Sequence, residues 1–439
     1  MTDKSKDVPM ANLASSSPNR RQFVKQTMAT AATTGLAMTA FASRVHAAGD
    51  DVLRVGLIGC GGRGTGAANQ ALQADENVRL VAMGDVFEDR LQLSLKSLSE
   101  IEKVAGRIDV PEEQRFVGFD ACQKVLATDV DVVLLTTPPH FRPMHLKAAI
   151  EAGKHVFAEK PVAVDAPGVH SVLQSCAEAK RRNLSVVSGL CLRSDGGFRE
   201  TVSRLHNNAI GEIHTIMAND YRGSIWMKPR KDEWTDMHWQ MKNWYYFTWL
   251  SGDFNVEQHV HYLDVGAWIM GGYPVRAIGM GGRQARTDEA YGNIYDHHSV
   301  TYEYENGARF FSNCRQQSGC KNDSSCHVQG SKGKAEVSER RLQIETDTKW
   351  TFDEKVKNMY QVEHDELFAG IRAGKPLNNG EYMAKSTLLA IMGRMASYTG
   401  QEITWEQAMN SQQDLSPEAY AWGSAPKVEI AIPGLTKFL

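Results

Sequence analysis

The sequence predicts an α/β protein: a doubly wound parallel sheet, followed by a second α/β region whose strands form an open, mostly antiparallel sheet. Three observations predict it. Short aliphatic runs alternate with helical segments between residues 52 and 188, a glycine-rich turn follows the first of those runs, and later strand-like segments are joined by turn chemistry. The 439 residues carry 49 Lys plus Arg against 52 Asp plus Glu, a formal charge of -3, which gives no basic footprint for nucleic acid. Seven scattered cysteines do not make a disulfide scaffold, so the core has to hold the fold.

Residues 1–47 read as an address. A Ser-rich start leads into Arg20-Arg21, an uncharged Ala/Thr-rich stretch runs from Gln26 to Ser43, and Val45-His46-Ala47 supplies a small-x-small cleavage pattern. That order of features is a twin-arginine export signal, which makes the export machinery a partner and the periplasm the expected location. A membrane anchor is the other reading, but so short and Ala/Thr-rich a stretch partitions weakly into hydrocarbon, and no other segment is apolar enough to span a bilayer. The twin-arginine route carries proteins already folded, so a cofactor inserted in the cytoplasm can travel inside them.

Residues 50–190 form the first expected domain. Val52 to Ile58 is a buried parallel strand by composition, and Gly59-Cys60-Gly61-Gly62-Arg63-Gly64 follows it at once. Gly59, Gly61 and Gly64 fit G-x-G-x-x-G, the dinucleotide-binding turn of a Rossmann domain, with Gly62 and Arg63 inside the same loop and Thr65 to Gln73 continuing as a helix. A pyrophosphate would sit on the amides at that helix start. A second strand, Val78 to Met83, ends at Asp85, where a carboxylate accepts hydrogen bonds from the adenosine ribose and disfavours a 2′-phosphate. The implied cofactor is NAD, tightly bound. A solvated strand end is the plainer reading of Asp85. Asp131 to Thr136 is a further strand, broken by Thr137-Pro138-Pro139-His140 beside the expected nucleotide. His145 to Glu151, Lys154 to Ala158, Asp165 to Arg181 and Ser185 to Ser188 complete the alternation.

The strand ending at Ala158 delivers Glu159-Lys160-Pro161. Taken with the glycine-rich turn and a downstream segment, Glu257-Gln258-His259-Val260-His261-Tyr262-Leu263-Asp264, it makes the chain resemble the glucose-fructose oxidoreductase/inositol dehydrogenase/MocA family. The resemblance implies a Rossmann domain followed by an α/β domain with an open, mostly antiparallel sheet, in enzymes that mostly oxidise or reduce sugars and cyclitols with a nicotinamide cofactor. It places Lys160, with Glu159, next to the nicotinamide, where an ammonium can stabilise a developing alkoxide. It makes His261 the proton acceptor or shuttle, a role suited to an unperturbed pKa near neutrality. Glu257 stands where the family usually has Asp, and His259 where small residues are common; Asp264 would orient the histidine or cap local structure. If 257–264 is one helix, Glu257 and His261 share a face and His259 points away, so these ligand types do not converge and no metal is expected.

Residues 191–415 form the expected substrate domain. Trp226, Trp234, Trp239, Trp244 and Trp249 place five of the nine tryptophans within 24 residues, interleaved with His238, Tyr245, Tyr246 and Phe247. Flat aromatic faces suit a sugar ring, and Trp244 and Tyr245 are candidate substrate contacts with His259 and Asp264; a buried loop or a subunit interface uses the same residues. Expected strands are Ile213 to Asp220, Val275 to Gly282, Val300 to Tyr304, Ala308 to Asn313 and Arg341 to Glu345, with Glu305-Asn306-Gly307 as a hairpin turn. His297 and His298 fall on a strand, one facing in and one out. Val362 to Ala373 and Glu381 to Tyr398 read as amphipathic helices stopped by Gly374 and Gly400. Cys314, Cys320 and Cys326 match no zinc pattern. The Pro-punctuated tail 416–439 wraps a neighbouring surface.

The expected function is an exported NAD-dependent oxidoreductase acting on a carbohydrate, with a homo-oligomer as the expected assembly. Some export-signal-bearing relatives are redox-neutral glycosidases, which oxidise a sugar transiently, eliminate the aglycone and regenerate the cofactor; a non-catalytic sugar-binding protein is the third reading.

Overall fold

A computed structural model describes residues 51–438; the expected twin-arginine signal, residues 1–47, lies outside the described residues. Six strands form the first sheet: β1 (Leu53–Ile58), β2 (Val78–Asp85), β3 (Arg115–Val117), β4 (Val132–Leu135), β5 (His155–Ala158) and β6 (Val186–Ser188). Their order is β3-β2-β1-β4-β5-β6 and every pair is parallel. The order reverses between β1 and β4, and ligands of such sheets bind beyond the carboxyl ends at that switch. Leu53, Val55, Leu57 and all of β4 are buried, because helices cover both faces.

Helices α1 (Gly62–Ala74), α2 (Glu88–Ser99), α3 (Arg142–Glu151) and α4 (Ala166–Arg181) belong to this layer. α4 begins where Asp165 accepts the Gly168 amide, an N-cap that the sequence shows directly. Short helices α5 (Phe254–Glu257) and α6 (Val260–Met270) break at Gln258 and His259, so 257–264 is not the continuous helix that the spacing allows. α7 (Met359–Arg372) starts on an Asn358 side-chain cap and packs against α1, returning a late segment to the first layer. α8 (Gly380–Thr399) ends with Gly400 at φ 70, the left-handed stop expected there. Its pattern reads as amphipathic, yet it is buried on nearly every side, because it runs against α4, α6 and the second sheet at once.

The second sheet has nine strands: β7 (Ile213–Arg222), β8 (Arg276–Gly282), β9 (His297–Glu303), β10 (Arg309–Gln316), β11 (Asp323–Gly330), β12 (Lys334–Ser338), β13 (Arg341–Glu345), β14 (Lys349–Thr351) and β15 (Ile403–Thr404), in the order β14-β13-β12-β11-β7-β10-β9-β8-β15. Only β7 and β10 pair in parallel. β11, β12, β14 and β15 carry no strand signature in the sequence: Asp323-Ser324-Ser325 opens β11 with polar residues, and pairing with β7 makes it a strand. All seven cysteines are free, Cys314 and Cys326 buried and Cys320 exposed. No helix among the described residues is long and apolar enough to cross a membrane.

Candidate active site

The turn after β1 is shaped by its glycines in two different ways. Gly59 has φ +97, and a Cβ there would stand 2.5 Å from the Thr137 amide nitrogen; a Cβ on Gly64 would run into the Gly59 carbonyl oxygen. These two glycines let the turn pack on the strand beside it. A Cβ on Gly61 or Gly62 would meet nothing within 4 Å, so their backbone stays open to a ligand. α1 begins at Gly62, and this first turn, whose amides have no partner within the helix, lines a cavity of about 480 Å³ together with Gly59, Gly61 and Asp85. Thr136, Thr137 and Pro138 form the wall at the end of β4. This open cradle, with a carboxylate at the end of β2, fits a dinucleotide.

Asp85 lies on the cavity wall with its carboxylate already oriented: Oδ2 accepts the Cys60 amide (2.6 Å) and Oδ1 the Phe87 amide (2.9 Å). Burial pushes its pKa up, and the two amides oppose that shift. His140 is corrected. The sequence places it beside the nucleotide, but it is buried off the cavity wall, its Nε2 2.8 Å from the Tyr420 hydroxyl, and burial lowers its pKa to about 4. The 3-10 turn at Pro139–Phe141 swings the ring toward Trp249 and the C-terminal tail.

A second group of side chains gathers where β5 ends. The Lys160 ammonium donates to the Glu257 carbonyl oxygen and to its Oε1 at 3.1 Å, and both side chains are nearly buried. Glu159 does not pair with this lysine. It forms an ion pair with Arg63 of the glycine-rich turn, so it touches the nucleotide loop through that arginine. The Lys160–Pro161 bond is cis.

His261 stands close to Lys160. Burial, then the Lys160 charge, then Arg222 and His259 hold its pKa well below the ordinary value, so the ring is neutral rather than poised at neutrality as its residue type suggests. Its Nδ1 is buried without a hydrogen-bond partner while the residue is partly exposed, which leaves the other ring edge toward the open side. His259 and Asp264 are corrected as substrate contacts, since both are fully buried. His259 Nε2 lies 2.8 Å from the Ser312 hydroxyl. Asp264 does not orient His261; it takes two bonds from Arg193 (2.8 and 2.9 Å) and one from Ser386 (2.6 Å), because α6 turns that residue toward α8.

The tryptophan-rich segment divides. Trp226 and Trp244 stand on the cavity wall with Asp85, Phe87 and Arg90, at the end where an adenosine would lie rather than beside Lys160. Tyr245 is buried, its hydroxyl accepting from Gln316 (2.7 Å), and Trp249 donates to Gln240 (2.6 Å). Most of the segment is therefore core, in line with the plainer reading. The tail folds back on its own chain: Trp422 packs on Phe87 and Phe119, two cavity residues, with ring centres 5.5 and 4.9 Å apart.

Three positioning groups carry no sequence signal, because each joins distant segments. Arg193 holds Asp264. Asp253, at φ +81, accepts from His298, the Tyr398 hydroxyl and the Tyr295 amide, and so fixes the turn into α5 that presents Glu257. His298 is thus the inward member of its pair, and His297 faces out to Asp296. Glu363 of α7 is buried beside Arg63 (3.5 Å), and burial and Glu159 keep its pKa well above the usual carboxylate range.

Residues 53–188 match the model of an oxidoreductase family with an NAD-binding Rossmann fold (GFO/IDH/MocA), and residues 198–336 match the same family's C-terminal domain. The chain belongs to the GFO/IDH/MocA family. It is 27% identical to an inositol 2-dehydrogenase of Serratia proteamaculans over 74% of this chain and 87% of that one. It is 31% identical to glycosyl hydrolase family 109 protein 2 of Shewanella sp. (strain ANA-3), over 40% and 41% of the two chains. The fold matches the crystal structure of aldose-aldose oxidoreductase from Caulobacter crescentus with a TM-score of 0.64, at 19% identity, covering 80% of this chain and 99% of that one. GFO/IDH/MocA membership accounts for the NAD-binding Rossmann domain and for the second sheet after it.

Proposed function

We propose that this family member is an exported NAD-dependent oxidoreductase that transfers hydride to or from a secondary alcohol of a sugar or cyclitol. The observation that carries the reading is the Lys160–Glu257 pair with neutral His261 beside it, at the carboxyl edge of a sheet whose glycine-rich turn fits a dinucleotide. Gly61, Gly62 and the start of α1 would hold the pyrophosphate, and Asp85 the adenosine ribose, which favours NAD. The nicotinamide, when bound, supplies the hydride acceptor. His261 takes the hydroxyl proton, for which a neutral imidazole is the competent form. The Lys160 ammonium steadies the charge growing on the substrate oxygen, and Glu257 holds that ammonium in place.

A redox-neutral glycoside hydrolase is the second reading, supported by the likeness to the Shewanella protein and by the tail. Trp422 and Tyr420 cover residues at the cavity's edge, as a retained cofactor requires. Export rests on Arg20-Arg21 and the Ala/Thr-rich stretch, and a cofactor carried out inside the folded chain suits it. A homo-oligomer is supported by the second sheet's open face, where Met217, Phe311, Thr301 and Ile278 form one cross-strand row, with Met217 and Ile278 exposed.

The test is to purify the protein from the periplasm, denature it and measure nicotinamide, then supply sugars, cyclitols and aryl glycosides while following NADH absorbance and aglycone release. NADH formation from a free polyol supports the first reading, and aglycone release without net NADH the second. Absence of both nicotinamide and added-NAD binding overturns the two together.

A further inference from the structure

Arg142, the first residue of α3, is a cation with 1% exposure and no carboxylate partner. Its guanidinium donates to the Thr137 carbonyl oxygen (2.6 Å), the Thr137 hydroxyl (3.2 Å) and the Glu159 carbonyl oxygen (2.9 Å), and so ties the end of β4 to the end of β5. No side-chain ion pair forms at Arg142 among the described residues; the carboxylate whose charge reaches it is that of Glu159, which pairs with Arg63 instead. A cation in the first turn of a helix also meets the positive end of the helix dipole. Burial lowers the Arg142 pKa to about 10, which still leaves it charged at neutral pH, so three neutral oxygens hold a charge that its surroundings disfavour.

The neighbouring groups do not cancel that charge. Around the ends of β4 and β5 stand three cations, Arg63, Arg142 and Lys160, against two carboxylates, Glu159 on Arg63 and Glu257 on Lys160. Glu363 does not make up the difference: both of its oxygens are buried without a hydrogen-bond partner, which favours the neutral acid. The excess reaches the cavity. His145 lies on the cavity wall, its Nδ1 3.2 Å from the Thr137 hydroxyl that Arg142 also touches, and burial, then the Arg142 charge, then His140 lower its pKa to about 3.

With the pyrophosphate on the glycine-rich turn and the adenosine ribose at Asp85, the nicotinamide half of a dinucleotide continues toward the ends of β4 and β5. Its oxidised ring is a cation and its reduced ring is neutral. Hydride transfer from the carbinol carbon removes the ring's positive charge, while the hydroxyl proton leaves to His261. Resting on the dinucleotide reading above, we infer that Arg142 is a fixed charge that stabilises the reduced cofactor over the oxidised one, so that the site is built to oxidise an alcohol rather than to reduce a carbonyl group. Its burial keeps it effective, because water and salt screen a charge inside the fold far less than one at the surface.

The measurement is titration calorimetry of the full chain, stripped of nucleotide, with NAD and with NADH at pH 7. The unaltered chain is expected to bind NADH at least about tenfold more tightly than NAD. Arg142→Gln and Arg142→Met remove the charge and are each expected to shrink that preference by at least about fivefold, whereas Arg142→Lys keeps the charge and is expected to leave it within about twofold, with thermal unfolding confirming that each variant folds. A tie between two strand ends and nothing more would weaken both nucleotides by the same factor, so an unchanged ratio in folded Arg142→Gln or Arg142→Met overturns the fixed-charge inference alone. NAD bound as tightly as NADH by the unaltered chain overturns it too, whether or not any variant folds. Binding of neither nucleotide overturns the dinucleotide reading and this inference with it.

Discussion

The glycine-rich turn and the Lys160 corner sit at the ends of strands in one sheet, yet they are built by opposite means. The turn is one contiguous stretch, Gly59 to Gly64, and each of its features follows from a missing side chain or the start of a helix. The corner joins Lys160 to Glu257 and His261, about a hundred residues further along, and is held by partners from still other segments: Arg193 and Ser386 on Asp264, His298 and Tyr398 on Asp253. A local device tolerates change elsewhere in the chain. A corner assembled from several segments inherits the stability of all of them.

Breaking the corner at its deepest support has the largest expected effect. Asp264→Ala leaves Arg193 with no carboxylate in a largely buried position and is expected to cost about 3–5 kcal/mol of stability, read by urea unfolding. A loss below about 1 kcal/mol would mean that the corner does not depend on this pair. At the groups proposed to act on the substrate, Lys160→Ala and His261→Ala are each expected to lower kcat by at least about 100-fold, and near-normal turnover in either refutes its role. On the other side of the comparison, Gly64→Ala forces a methyl group onto the Gly59 carbonyl and is expected to weaken NAD binding by about 100-fold, measured by calorimetry.

Acid separates buried support from exposed charge. Burial lowers His140 and His259 to about 4, so in the folded protein they stay neutral where the unfolded chain, with histidine near 6.5, takes up protons. The unfolded state binds more protons between those values, so stability is intact above pH 6.5 and falls as pH drops toward 4, by about 2–3 kcal/mol for each histidine at pH 4.5. Replacing His259 with Asn should flatten part of that decline in a series of thermal melts. The smallest effect concerns the tail: ending the chain after Ser416 removes Tyr420 and Trp422 from the cavity edge and is expected to speed NADH release by about tenfold in stopped-flow fluorescence. An unchanged release rate would show that the tail only packs.

The nucleotide half is legible in the sequence because its signals are short-range. Strand composition, glycine spacing and the residue ending β2 all act over a few residues, and the structure sets Gly59, Gly61, Gly62, Arg63, Gly64 and Asp85 on one cavity. The second half is legible only where a turn or an alternating pattern marks a strand, as in β8, β9, β10 and β13. β11 and β12 are polar, and only their neighbours make them strands. In the segment 257–264 the residue types are legible and their arrangement is not: a helix break turns His259 into the core and sends Asp264 to Arg193. The tryptophans are conspicuous by composition, which says that a surface will be covered but not by what.

By itself the sequence determined five of the six strands of the Rossmann layer, the glycine cradle and the family to which the chain belongs, but not β3 or the helix Glu88–Ser99, since backbone sterics and hydrophobic periodicity are local properties of neighbouring residues. Tertiary structure alone decided which carboxylate faces Lys160 and which histidine is open. Charge and desolvation act through space, and the distances that set them exist only once the chain has folded.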